Sequence, residues 1–423
     1  MANSFSKEER VAFEDILEGF QDLLVLSRHV NIYNTDQTMM ARTNDTIWRP
    51  QPYIAQSQNS TPGTPVTYQN MTQLAVPATL GFSQTVPWTM TTLDLRDALQ
   101  EGRLGESAKQ KLASDINVAI MNVAAAQGTL VVPVATAAGD YDDVALCDTI
   151  MNEQGVPDYD RFLGLSSRDY NGLAGNLSQA SRSFGNQKSD RAYERSFVGM
   201  VAGFDTYKFD YANRIAVAGG GTTTIDTTGA QAQYVPQATS TAVGGQINVD
   251  NRYQSVVVNN TVGVVAGDCF TIDGIEAVHH ITKVSTGRLK TFRVISVTNS
   301  TTMVISPPII AATAPATDAE LQYKNVQLVA ASSAAPINWL NTGASAINVF
   351  WQRDALEILP GRYAVPSDAG TAVMRATTDQ GVELVMQKFY DIDSMVIKYR
   401  LDTLFGVVNK QPEMSGILLF NQP

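Results

Sequence analysis

The sequence is poor in the residue types that usually carry metal and thiol chemistry. Its 423 residues include only two cysteines, Cys147 and Cys269, and three histidines, His29, His279 and His280. The cysteines lie far apart in sequence, so no disulfide framework is implied, although a single bridge between them stays open. Neither cysteine has the neighbouring cysteine or histidine that a zinc site requires. All three histidines are expected to be structural, with His279 and His280 on opposite faces of one predicted strand.

Long apolar runs and an excess of positive charge are also lacking. No stretch approaches 18 consecutive apolar residues, and the first residues have neither the basic start nor the apolar run of a signal peptide. We therefore expect no membrane span and no secretory leader. The net charge of −11 and the pI near 4.8 argue against tight binding of phosphate groups, which needs clustered lysine and arginine.

Enzymatic motifs are missing as well. No P-loop or dinucleotide-binding glycine motif follows a predicted strand. The acidic pairs Asp142/Asp143 and Asp391/Asp393 could hold a cation, but paired carboxylates are common on solvated turns. A hydrolase with serine, histidine and aspartate would need a nucleophile beside one of the paired histidines, and the sequence alone does not exclude one. We predict a protein without catalytic activity, cofactor or bound metal.

Charge is absent from one long segment in the first quarter of the chain. The 44 residues from Pro50 to Leu93 include no lysine, arginine, aspartate, glutamate or histidine. A solvated loop normally carries charge, and a core segment of this length would be more continuously apolar. Residues 66–84 alternate enough to predict a two-stranded hairpin, which is marginal in water and needs a surface to lie on. We expect that surface to belong to a neighbouring copy of the chain.

Helical periodicity marks two segments. Residues 4–28 repeat apolar side chains at helical spacing, begin with a Ser6–Glu9 capping-box pattern and carry an acidic opposite face. Residues 93–127 show the strongest helical pattern in the chain. A further helix is expected to stop at Gly155, and strands elsewhere make the predicted fold α+β.

Two low-complexity blocks, at residues 218–245 and 311–336, bracket a run of short strands. Turn signals at regular spacing predict a small antiparallel barrel, and a linker on each side indicates a domain inserted into another domain. Residues 382–408 then predict two long strands in hairpin order. The barrel supports an alternative function, an oligonucleotide- or carbohydrate-binding module. Its basic and aromatic residues fit either nucleic-acid binding or structural roles: Arg252, Lys283, Arg288, Lys290, Arg293, Tyr253, Phe270 and Phe292.

Several short motifs follow one another along the chain in a distinctive order. They are "NDTIWRP" at 44–50, "DLRD" at 94–97, "NVDNR" at 248–252, "NVFW" at 348–351 and "FGVVNKQPE" at 405–413. With the acidic first helix, the uncharged segment, the long helix and the late β insertion, they resemble the coat proteins of short-tailed lambdoid phages of Salmonella and Shigella. The resemblance covers nearly the whole chain. It implies the Hong Kong 97-type major capsid fold.

The resemblance also implies a division of the chain into five parts. These are an N-terminal helical arm (1–35), a peripheral domain with the long spine helix (36–49 and 86–130), an extended loop (50–92), an axial domain with returning peripheral strands (131–218 and 341–423) and an inserted β-barrel (219–340). We expect residues 219–340 to fold on their own, because a local barrel can close before a long-range sheet does.

The function implied is structural. The subunit would self-assemble, with a separate scaffolding protein, into the pentamers and hexamers of an icosahedral procapsid in the host cytoplasm. A portal protein and double-stranded DNA, enclosed without sequence-specific contacts, are the other expected partners, and the virion is the expected location. The family's acidic scaffold-docking segment matches residues 12–18, which makes Glu14, Asp15 and Glu18 the docking candidates. Leu80 and Phe82 are the candidate intersubunit contacts of the extended loop.

The sequence departs from relatives in three respects. Some relatives weld the shell with a lysine–asparagine isopeptide bond, but no lysine occurs between Lys7 and Lys109, so the extended loop cannot supply one. Some carry a fused scaffold, which we do not expect here because the tryptophan strand is already reached at Trp48. In others a charged loop bridges capsomers by salt bridges, and residues 235–246 are uncharged.

Overall fold

The computed structural model describes residues 7–33, 46–91, 98–180, 198–209, 213–225, 233–329, 334–363, 365 and 371–420, except the single positions 53, 56, 59, 64, 67, 244 and 379. The helices within these residues are α1 Lys7–Leu23, α2 Ala98–Gln127, α3 Tyr141–Gln154, α4 Ser167–Ala180 and α5 Asp318–Tyr323. The strands are β1 Asn31–Ile32, β2 Thr46–Pro50, β3 Ala75–Thr79, β4 Phe82–Thr91, β5 Leu130–Val134, β6 Arg161–Ser166, β7 Met200–Val201, β8 Phe204–Phe209, β9 Arg214–Ile215, β10 Thr224–Ile225, β11 Thr239–Ala242, β12 Gly245–Asn248, β13 Gln254–Val257, β14 Cys269–Val278, β15 Ser285–Asn299, β16 Thr302–Ser306, β17 Val326–Leu328, β18 Ala335–Trp339, β19 Ser345–Gln352, β20 Leu356–Pro360, β21 Ala372–Thr377, β22 Glu383–Asp391, β23 Val396–Asn409 and β24 Ser415–Phe420. The predicted α+β class is confirmed.

The chain forms two compact units. The first contains Met1–Ile47, Ala78–Asn122 and Leu356–Val408, and the second contains Trp48–Pro77, Val123–Ala355 and Asn409–Pro423. The extended loop is therefore divided at Ala78, with its first part in the second unit. The five-part division of the chain stays a prediction.

The first unit has a sheet with the strand order β1-β20-β23-β22-β21, in which β4 also pairs with β23. β4 runs antiparallel to β23 from Phe82↔Phe405 to Thr91↔Val396. The predicted hairpin of β22 and β23 is confirmed. On the helical side of this unit, a side-chain carbon at Gly105 of α2 would lie only 2.6 Å from Cδ1 of Ile16. That glycine, which weakens α2 locally, therefore leaves room for the buried face of α1.

The second unit contains two larger sheets. In one, the order is β5-β24-β19-β6-β8-β7, with β9 on β19. β5 is parallel to β24 and β6 is parallel to β8, and α3 and α4 pack on the sheet through Val144, Met151 and Leu173. Gly155 ends α3 with φ of 81°, as predicted.

The other sheet of the second unit has the order β10-β18-β14-β15-β16-β13, with β17 also on β14. A bridge between Ile225 and Val258 brings the two edges of this sheet together. Phe270 stacks on Phe292 with ring centroids 5.6 Å apart, and Trp339 meets Phe270 edge-on at the same distance. These rings lie in the sheet's own hydrophobic core. β11 and β12 form a separate two-stranded ribbon.

Two sequence predictions need correction. β3 pairs with β2 and β4 pairs with β23, so the predicted hairpin within residues 66–84 is wrong. Residues 311–336 are not only linker, because α5 and β17 lie within them. The signal that was missed is the capping box of Thr317 and Glu320 at the start of α5.

Helix ends also differ from their predictions. α1 spans Lys7–Leu23 rather than residues 4–28, and Ser6 of its predicted capping box lies outside the described residues. α2 ends at Gln127 as predicted, while residues 92–97, which include most of the expected start, are not described. At 30 residues, α2 is about 45 Å long.

Candidate assembly surfaces

The three docking candidates lie together on the exposed face of α1. Glu14, Asp15 and Glu18 are all exposed, and they fall within one turn of the helix. The opposite face is buried through Phe13, Ile16 and Phe20. α1 therefore presents a compact negative surface whose orientation is fixed by its apolar side.

Buried polar contacts reinforce that orientation. Glu9 is buried, and its carboxylate forms an ion pair with Lys388 and accepts a hydrogen bond of 3.0 Å from the hydroxyl of Tyr399. At the other end of α1, the amide of Asn117 donates to the carbonyl of Leu23 at 3.1 Å. These contacts of Glu9 fasten α1 to β22 and β23, and its predicted capping partner Ser6 lies outside the described residues.

Sequence reasoning missed one residue of the same surface. Val11 is 58% exposed and lies three, four and seven residues before Glu14, Asp15 and Glu18, so it shares their face. An exposed valine beside three carboxylates could contact the apolar side of a basic helix. A single exposed valine is ordinary on a protein surface, so Val11 gives no signal by itself. The signal that was missed is its helical spacing from the three carboxylates.

The two loop candidates are less exposed than predicted. Leu80 is fully buried within its own subunit, where it lies with Leu404 in the space that a side chain at Gly361 would need. Phe82 is half-buried and stacks on Phe405 with ring centroids 5.2 Å apart. Both residues stabilise the subunit, so substituting them does not isolate an intersubunit contact.

The first part of the extended loop carries the exposed apolar side chains instead. Tyr68 is 92% exposed, and Met71 and Val66 are also exposed. The loop backbone nearby is bound by side chains of α5. Asn70 N donates to Asp318 at 2.9 Å, and Thr72 N donates to the amide oxygen of Gln322 at 3.0 Å.

A buried charged cluster ties the strands β14 and β15 to the C-terminal segment. Lys290, 1% exposed, lies 2.6 Å from the carboxylate of Glu413 and donates to the amide oxygen of Gln154 at 2.8 Å. Asn325 also donates to that carboxylate, at 3.2 Å. Burial alone would raise the pKa of Glu413. The positive charge of Lys290 and the hydrogen bonds that Lys290 and Asn325 donate to the carboxylate outweigh burial and lower the pKa to about 2. Burial lowers the pKa of His280, 3.4 Å from Glu413, to about 4, so this imidazole is neutral at pH 7.

A second set of buried contacts reaches the end of α2. The guanidinium of Arg293 donates to the carbonyl of Ala125 at 2.9 Å, where a helix C-terminus favours positive charge. The hydroxyl of Thr291 donates to the carbonyl of Thr129 at 2.8 Å. Arg252 is buried as well and pairs with Asp250 at 2.7 Å.

These contacts weaken the alternative of an oligonucleotide-binding barrel. Lys290, Arg293 and Arg252 are used inside the subunit, and Phe270 and Phe292 are fully buried. A stacking platform for bases needs exposed aromatic rings beside free positive charge. Five of the residues that suggested nucleic-acid binding are therefore buried structural residues, whereas Arg288 is 67% exposed and pairs with Glu153.

The remaining candidates are structural. His279 and His280 lie in the turn after β14 rather than on the strand, and the ring of His279 accepts hydrogen bonds from Ile281 N and Thr282 N. Cys147 and Cys269 are buried and free. Within the described residues, no three acidic, histidine or cysteine side chains cluster as metal ligands, and no helix is long and apolar enough to cross a membrane.

The motifs that carried the resemblance supply many of the buried polar contacts. Asn348 of "NVFW" is fully buried, accepts from Ser166 N at 2.7 Å and donates to Asp169 at 2.8 Å. In "NVDNR", Arg252 donates to the carbonyl of Asn409 at 2.9 Å. Glu413 ends "FGVVNKQPE". These motifs therefore mark places where the fold requires particular polar partners.

Comparison with known proteins identifies the family of this chain. The family model described as P22 coat protein, gene protein 5, matches residues 1–421. The CUS-3 coat protein I-domain is 33% identical, over 28% of this chain and 96% of that one, with a TM-score of 0.22. A structure from Mycobacterium phage Che8 is 10% identical over 93% of this chain and 90% of that one, with a TM-score of 0.46. The capsid of the cyanophage P-SCSP1u is 10% identical over 93% and 86%, with a TM-score of 0.44. Because the family match covers almost every residue, this chain belongs to the P22 coat protein family and is a non-enzymatic phage coat protein of the virion capsid.

Proposed function

We propose that this coat subunit assembles with a separate scaffolding protein into an icosahedral procapsid of pentamers and hexamers. The shell then encloses double-stranded DNA without sequence-specific contacts, and a portal protein is a further partner. The observation that carries the scaffold-dependent step is the acidic face of α1, which is exposed while Glu9 and the apolar face are buried.

The chemistry of that face indicates its partner. Three carboxylates on one helical turn attract a segment rich in lysine and arginine, and Val11 offers an apolar contact at the same place. Exposed charge pairs are screened over about 8–10 Å at physiological salt, so such docking weakens as salt rises. A weak, salt-sensitive contact suits a partner that has to leave before the shell fills with DNA.

Reversing the charge of this face tests the scaffold contact. We expect Glu14→Lys with Glu18→Lys to lower the scaffold content of particles several-fold at low salt, because each like-charge contact opposes docking. Scaffold content is measured on gradient-purified particles at low and high salt. Asp142→Lys with Asp158→Lys makes the same net change at exposed positions of the second unit. Equal scaffold content in both double variants, or docking indifferent to salt, would place the contact elsewhere.

We further propose that residues 219–340 are an inserted domain that folds on its own. Support comes from the closed hydrophobic cluster of its sheet, in which Phe270, Phe292 and Ile305 are fully buried. Expressed alone, residues 219–340 are expected to give dispersed amide resonances and one cooperative thermal transition. A random-coil spectrum would show that the contacts of Lys290 and Arg293 outside the segment are required for folding.

A further inference from the structure

α5 is one of the places where the second unit contacts the extended loop. The helix is six residues long and is fixed at its start by the capping box, in which Glu320 accepts from Thr317 N at 2.7 Å. Gln322 is only 4% exposed, and Asp318 and Tyr323 are half-buried. Three neighbouring polar side chains on a short, capped helix therefore face the loop from fixed positions.

Three hydrogen bonds join this helix to residues 70–72, and each uses the loop backbone. Asp318 accepts from Asn70 N and Gln322 accepts from Thr72 N, at 2.9 and 3.0 Å. Tyr323 donates its hydroxyl to the carbonyl of Thr72 at 2.9 Å. In an extended chain, groups two residues apart point to the same edge, so α5 binds this edge as a neighbouring strand would. Such binding depends on extended geometry and not on the identity of the loop side chains.

The loop is not closely packed on α5. A cavity of about 200 Å³ lies beside the hydrogen bonds and is lined by residues that include Ile54, Tyr68, Met71 and Gln322. The Nε2 atom of Gln322 is buried and has no hydrogen-bond partner within the described residues. A buried donor without an acceptor is unfavourable, and an unfilled cavity forfeits packing contacts. The hydrogen bonds between α5 and the loop therefore require a particular loop geometry, but little packing opposes release of the loop.

We propose that α5 is a holding site for the extended loop of the unassembled subunit, and that the loop has to leave α5 to reach a neighbouring copy. The segment that occupies this site is residues 70–72, in the extended loop of the same chain. Holding the loop in this way slows spontaneous association of subunits until other contacts favour its release. This inference rests on the proposed function, because it requires that the loop takes part in assembly.

A reversible lock tests the inference. We would combine Asn70→Cys with Asp318→Cys, oxidise the purified subunit and compare its assembly before and after reduction. The native thiols do not compete, because Cys147 and Cys269 are buried. We expect the oxidised subunit to carry an intramolecular disulfide and to yield at least tenfold fewer particles, with full recovery on reduction.

Each other outcome has a distinct meaning. An oxidised subunit that assembles as well as the reduced one would overturn the inference, as would failure of the two cysteines to join in the free subunit. If neither the reduced variant nor the unmodified chain assembles with scaffold, the proposed function fails instead. Each single-cysteine variant serves as the control for oxidation.

Weakening the hold provides a second test. Tyr323→Phe removes one hydrogen bond, and we expect the initial assembly rate to rise about two- to tenfold, the range given by loss of one such bond. Tyr159→Phe, at an exposed tyrosine, is the matched control. Slower assembly of the Tyr323→Phe variant would overturn the inference and indicate that α5 receives the loop of a second copy.

Discussion

Glu413→Ala is expected to lower the free energy of unfolding by roughly 3–5 kcal/mol, the usual effect of removing one partner of a buried ion pair. Lys290 is 1% exposed and would keep only the amide oxygen of Gln154 as an acceptor. The hydrogen bond that Asn325 donates to the same carboxylate would be lost too. Urea unfolding of the subunit at pH 7 measures the difference.

Comparison with Glu413→Gln separates charge from hydrogen bonding. The pKa of Glu413 lies at about 2, below its ordinary value of 4.5, so its ionised form stabilises the folded state. That contribution is complete above pH 4.5 and is lost as the pH falls through about 2. The stability difference between the native chain and Glu413→Gln should therefore be constant above pH 4.5 and shrink below it. A stability difference that does not change between pH 7 and pH 3 would show that the ionised carboxylate of Glu413 does not stabilise the folded state through Lys290.

Leu80→Asp is expected to unfold the subunit rather than to block assembly alone. Replacing a fully buried leucine by alanine costs about 2–5 kcal/mol, and a buried carboxylate without a partner adds to that. Circular dichroism and thermal unfolding of the purified subunit check this expectation. A Leu80→Asp subunit with native stability would mean that Leu80 is not in the core.

Tyr68→Asp is the matched change at an exposed position of the same loop. With 92% of its surface in solvent, Tyr68 contributes little to the stability of the free subunit, so Tyr68→Asp should melt like the native chain. If the extended loop lies on a neighbouring subunit, that charge is desolvated on assembly and the particle yield falls. Normal yield from a stable Tyr68→Asp subunit would remove Tyr68 from the interface.

The elements that could be predicted from the sequence are those with local signals. The apolar repeat of α2, the glycine that ends α3 and the alternation of β22 and β23 each act within a few residues. The acidic face of α1 could also be predicted, because helical spacing alone places Glu14 and Glu18 together. The resemblance to coat proteins rested on short motifs together with the order of such elements along the chain.

Features that depend on residues far apart in the chain could not be predicted from local sequence patterns. The strand β4 alternates like half of a hairpin, but its partner β23 lies more than 300 residues away. Lys290 and Arg293 read as surface charge until Glu413 and the end of α2 are placed beside them. The sequence around Leu80 does not show whether this side chain is buried in the core of its own subunit or at an interface with another subunit, because both environments exclude water.

We propose above that this chain builds closed shells under the control of a separate scaffolding protein. Electron microscopy of particles purified after expression with and without the scaffold tests it most directly. We expect uniform closed shells when the scaffold is present, and few or irregular assemblies when it is absent. Subunits that stay monomeric at every concentration, with or without scaffold, would contradict it.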